Sequence, residues 1–243
     1  MLIFLGNYFI ASIFSIASND TSWHDVRLFE VLLGCVGGFL FLYNFVLYQK
    51  NIIKNGLSLS VGVMRISVLI PILLSVFIFG EKVLLFNYLG IGVVMLSFIF
   101  MSETRNFHSF LWIVLLFLVT GTAETVVKLY DVYGLPQQGL FVFFIFFSAL
   151  VMNLIFIMVK KIPFQWRSFG YGLILGIPNQ LTTRLFLTSL SSVKAPIAYP
   201  LYAASVVIIT IVADLLIWRK RFTVKQRIAL ALLVMGIVLL NLR

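Results

Sequence analysis

The sequence predicts an all-α integral membrane protein, a polytopic bundle of nine transmembrane helices. Three observations carry this. Of 243 residues, 62% are hydrophobic and 11% charged, whereas about a quarter of a soluble domain is charged. The charges crowd into gaps between nine apolar runs, and lipid excludes unpaired charge. The runs do not alternate in polarity, as barrel strands of about ten residues would.

The runs span residues 1–18, 28–48, 58–80, 83–101, 109–129, 139–159, 168–190, 196–217 and 226–242. Most hold roughly 17–23 residues, enough for a helix to cross a core of about 30 Å. The first begins at Met1 without a polar lead. It has neither the positive n-region nor the small-residue cleavage site of a signal peptide. It is expected either to start at the membrane surface or to follow a helix absent from the sequence. The second carries Gly34, Gly37 and Gly38, small residues suited to close helix packing. Cys35 in the same run is a packing residue. As a lone cysteine it excludes an intramolecular disulfide and a Cys-based metal cluster. The third and seventh runs contain Pro71 and Pro178, and the eighth contains Pro196 and Pro200; all four are expected to kink helices. Turn signals separate the runs: Asn19-Asp20, Asn55-Gly56, Gly134-Leu135-Pro136 and Arg219-Lys220-Arg221.

The formal net charge is +10. The basic residues sit at run ends rather than on one face, so the expected partner is the lipid bilayer and not nucleic acid. Eleven Lys and Arg fall on the side bearing Met1 and five on the other. With the intramembrane Arg65 and Arg184 they make up the eighteen in the chain. This bias puts Met1 on the cytoplasmic side. His24 and His108 sit singly in loops. There is no HExxH, carboxylate cluster or P-loop. The expectation is therefore no enzyme, no cofactor, no metal and no nucleotide-driven pump.

The chain reads as one membrane domain of two copies, 1–101 and 109–243. A shift of 139 residues brings Asn55-Gly56-Leu57 onto Lys194-Ala195-Pro196, and Gly80-Glu81-Lys82 onto Arg219-Lys220-Arg221. Five helices lie between equivalent points, so the second copy is inverted. Inverted repeats are a transporter architecture, with the substrate site near the midplane.

The stretch from Pro71 to Gly80-Glu81-Lys82, followed by Gly90 and Gly92, resembles the fourth and fifth helices of the EamA-like branch of the drug/metabolite transporter superfamily. Ala195 through Asn241 resembles the ninth and tenth. The resemblance covers essentially the whole chain. It implies ten helices in two inverted halves that move small organic molecules. The sequence departs in three ways. The family's first helix has no counterpart among the nine runs. Lys220 stands where the first copy has Glu81. The Lys/Arg count puts the C-terminus outside, whereas relatives have both ends in the cytoplasm.

Charges within the runs mark candidate function. At 1.5 Å per residue, Arg65 and Asp214 lie about 10 and 7 Å below one face. Glu124 and Arg184 lie about 10 Å below the other. An acid and a base thus share each depth. Helical spacing aligns Gly172, Gly176, Gln180, Arg184 and Thr188 on one ridge, and Thr120, Glu124 and Lys128 on another. Tyr199, Thr210 and Asp214 share a face of the eighth run. Asn44, Asn153 and Asn179 are polar residues inside their runs. The expected pathway is lined by Arg184, Gln180, Glu124, Arg65, Asp214, Asn179, Tyr199, Asn44 and Asn153. Each charged pair also fits an ion pair that only fixes packing, and Lys128 fits a snorkelling surface lysine. Two arginines suit an anionic or zwitterionic solute; Glu124 alternatively carries a coupling proton. The expectation is a secondary transporter of a small organic solute in a prokaryotic cytoplasmic membrane. The alternative is a non-transporting membrane subunit or a lipid-linked flippase component.

Overall fold

The computed structural model describes residues 1–17, 26–101, 110–135, 138–216 and 223–242. Side chains at 58, 101, 210, 211 and 213–216 are outside that description. So are the predicted turn signals Asn19-Asp20 and Arg219-Lys220-Arg221, and Pro136, His24 and His108. Among the described residues there are helices and no strands. They are α1 Leu2–Ala17, α2 Leu28–Asn55, α3 Leu57–Ile66, α4 Leu69–Phe77, α5 Leu85–Met101, α6 Phe110–Tyr133, α7 Gly139–Val159, α8 Trp166–Ser192, α9 Ala195–Leu216 and α10 Val224–Asn241. Among the described residues, five stretches are long and apolar enough to cross a membrane: α2, Leu59–Phe77, α6, α7 and α10. α8 has the length, at 27 residues. Its polar row from Asn179 to Arg184 leaves it less apolar than those five.

Two elements depart from the run pattern. The third run breaks at Ser67–Val68 into α3 and α4. Pro71 has no N–H for the Ser67 carbonyl and its ring crowds that carbonyl. Ser67 instead accepts from Ile70 at 3.0 Å in a tighter turn. α2 continues to Asn55, past residue 48. Its last turns dock on α6: Asn51 is fully buried, and Lys50 and Lys54 lie 5.3 and 5.0 Å from the Trp112 ring centroid. Gly56, at φ +85°, then ends the helix, a backbone state open to glycine. Pro196 falls in the first turn of α9, where its missing N–H costs no helical bond, so it starts that helix rather than kinking it.

The chain forms two compact units. One is Met1–Phe45 with Val126–Ser191, the other Val46–Thr125 with Ser192–Arg243. Neither unit is a half of the sequence; each draws helices from both.

In the first unit, glycines bring backbones together. A Cβ on Gly34 would meet the Phe141 carbonyl oxygen and the Ile145 amide; on Gly172 it would meet the Ile3 carbonyl oxygen and the Asn7 amide. Gly38 faces the Ile145 carbonyl oxygen and the Ser148 side chain, and Gly176 the Asn7 carbonyl oxygen and the Ile10 side chain. Each position in the second crossing is 138 residues from its counterpart in the first, as 34 is from 172 and 3 from 141. α1 and α7 also pack antiparallel, through an Asn153-to-Met1 hydrogen bond of 3.0 Å and the Tyr8–Phe146 ring contact. Tyr8 and Phe146 are again 138 apart.

In the second unit α5 and α10 pack antiparallel. Gly90 meets the Leu240 amide and the Gly236 carbonyl oxygen, and Gly236 meets the Val94 amide and the Gly90 carbonyl oxygen. The contact again exchanges partners, with a spacing of 146 (90 to 236, 94 to 240). This spacing exceeds the 139-residue shift by seven residues, about two helical turns. The end of α4 joins the start of α9: the Glu81 carboxylate accepts the Ala195 N–H at 2.9 Å, and Lys194 donates to the Lys82 carbonyl.

Candidate functional site

The second unit gathers charge and phenol around one half-buried cation, Arg65. Three helices are first brought into register. Asn51 of α2 donates to the Trp112 carbonyl of α6 at 2.8 Å and accepts from Ser60 of α3 at 3.3 Å. Arg65 lies five residues beyond Ser60, about 7.5 Å deeper, and Glu124 twelve beyond Trp112, about 18 Å deeper. The charge of Arg65 acts on Glu124, on Tyr48 of α2 and on Tyr202 of α9, and Glu124 acts on Tyr202 as well. Tyr199, fully buried one turn before Tyr202, donates its hydroxyl to the Glu124 carbonyl at 2.8 Å.

Arg65 is half-buried, and its Nε is buried with no hydrogen-bond partner. Beside it, Leu47, Leu59, Val63, Ile113 and Leu116 form an apolar core. A low-dielectric surround strengthens the field of the guanidinium. It also makes an unbonded N–H costly. The planar fork suits a carboxylate or phosphate, and the Glu124 carboxylate suits an ammonium group or a proton.

The depth argument paired Arg65 with Asp214 and Glu124 with Arg184. Among the described side chains the charge of Arg65 acts on Glu124, a residue the depth argument set at the other face, because depth counts only position along the axis. Rotation about each helix and side-chain length decide the rest. Asp214 lies on α9, with its side chain outside the described residues.

The other candidates belong to the first unit. Asn179 donates to Asn7 at 3.0 Å, joining α8 to α1. Gln180 is buried on α8. Asn153 is buried and bonded to the start of α1, and its Oδ1 has no partner. Arg184 and Asn44 are half-buried. Lys128 is buried rather than snorkelled, because Asp131 one turn on holds its ammonium at 2.6 Å.

Sequence reasoning missed Tyr48, Tyr202, Asn51 and Glu30. Tyr202 had a signal, since i+3 spacing puts it beside Tyr199. Asn51 had been assigned to a connection. Glu30 stands at the edge of a run like any interfacial charge, yet it is buried and accepts the Leu135 N–H at 3.0 Å. Compared with protein-family models and with curated proteins, the chain matches none.

Proposed function

We propose that the chain is a multi-pass secondary transporter of a prokaryotic cytoplasmic membrane, moving a small anionic or zwitterionic organic solute by alternating access. The carrying observation is Arg65: a cation within apolar helices, with one N–H unbonded and a carboxylate and two phenols in its field. Intramembrane charge is costly and marks substrate or ion pathways. An acidic group of the solute binds Arg65, and Glu124 receives its amino group or a coupling proton.

The packing supports an inverted repeat. The Gly34 and Gly172 crossings use the same atoms at a spacing of 138, and α1 with α7 and α5 with α10 run antiparallel. A two-fold axis in the membrane plane reverses a helix and sets it against its own counterpart. The same pattern fits the resemblance to the EamA-like transporters.

The test is flux into proteoliposomes of amino acids, dicarboxylates and sugar phosphates. Arg65→Gln should lower flux of the responding solute roughly a hundredfold, and Arg65→Lys less, because the ammonium lacks the fork. Glu124→Gln should change the pH dependence or the preference for amino-bearing solutes. Wild-type flux from Arg65→Gln would remove this reading.

A further inference from the structure

At the end of the second unit where α4 turns into α5, a cleft of about 560 Å³ opens beside the start of α9. Its rim is polar: Lys82, Lys194, Asn87, Ser192 and Asn241. Its wall is apolar, with Ile197, Leu201 and Leu240 among the residues. The two lysines are exposed. The nearby carboxylate, Glu81, is held on the Ala195 N–H. Lys194 donates to the Lys82 carbonyl, which brings the two lysine positions together. No carboxylate pairs with either ammonium among the described residues. Around the cleft, Leu84, Leu85 and Phe86 are more than half exposed, as lipid-facing side chains would be at a helix end.

We propose that this cleft binds the phosphate of a phospholipid headgroup, with Lys82 and Lys194 on the phosphate and an acyl chain along Ile197, Leu201 and Leu240. Two cations with no carboxylate on them among the described residues, above an apolar wall, match an amphiphile carrying one negative charge. A soluble phosphate would gain nothing from the wall. The Asn87 amide donates to the Leu240 carbonyl at 2.9 Å and so shapes the floor without being needed as a ligand. The site is independent of the Arg65 cluster and of the transport reading.

The experiment is thermal unfolding of the full chain in detergent, titrated with phosphatidylglycerol, phosphatidylcholine or inorganic phosphate. Phosphatidylglycerol should raise the melting temperature most. Lys82→Gln/Lys194→Gln should weaken its apparent affinity roughly thirtyfold, since each basic residue near an anionic surface contributes about one factor of five. Lys82→Arg/Lys194→Arg should keep most of the affinity and controls for folding. Lys160→Gln/Lys161→Gln should leave the affinity unchanged. An unchanged affinity in the Lys82→Gln/Lys194→Gln protein overturns the proposal. So does an equal shift from inorganic phosphate alone, which would mean a soluble-anion site.

Discussion

The two compact units handle buried polarity in opposite ways. In the unit of residues 1–45 and 126–191, buried polar groups mostly have partners: Lys128 on Asp131 within α6, Asn179 on Asn7 between α8 and α1, Glu30 on the Leu135 amide. Among the described residues, the buried atoms left unbonded there are neutral, the Tyr8 hydroxyl and the Asn153 oxygen. In the unit of 46–125 and 192–243, the unbonded atoms include a nitrogen on a cation, Arg65 Nε. A neutral orphan costs about 1–3 kcal/mol, and a charged one costs more. The buried groups of the first unit named here serve as framework, and on the proposed reading the second unit holds a group that gains by meeting a ligand.

The largest effects should come from the glycine crossings. Gly176→Val puts a side chain on the Asn7 carbonyl and should cost about 3 kcal/mol or more, seen as a lost melting transition. Gly38→Val should cost about the same, because its contacts are the counterparts 138 residues away; a large difference would break the equivalence. Gly92→Val, with nothing within 4 Å of its Cβ, should stay within about 0.5 kcal/mol. Next is Asp131→Asn, which leaves buried Lys128 without its carboxylate. It should cost roughly 2 kcal/mol, partly recovered in Lys128→Met/Asp131→Leu. Asn179→Leu removes one interhelical hydrogen bond and should cost about 0.6–1 kcal/mol. Arg65→Gln should cost less than either, about 0.5 kcal/mol, since its Nε makes no bond to lose and only its field on Glu124 goes. A loss there as large as that of Asp131→Asn would make Arg65 framework too, and the contrast between the units would fail.

Much of the framework was legible in advance, for a local reason. Runs such as 139–159 match α7 because apolar content and length alone select a helix in lipid. Gly34 and Gly38 announced close helix packing as small residues, and both meet α7. The candidate site was legible only in its parts. Arg65, Glu124 and Tyr199 stood out as polar residues in apolar runs. Their grouping did not, nor did Tyr48, which looks like an aromatic at a run end. The break at Ser67–Val68 was foreshadowed by Pro71, although a kink and a break read alike in one dimension.

By itself the sequence determined the helical class, the apolar character of the helices, most of their ends and the glycine rows, because each depends on residues within a turn or two. Tertiary structure decided that Arg65 acts on Glu124, that α2 docks its basic end on Trp112, and that matching glycine contacts recur at a spacing of 138 at one crossing and 146 at another. Those outcomes depend on how each helix is rotated about its axis and how far its side chains reach. Only packing against the other helices fixes these, and they leave no period in the chain.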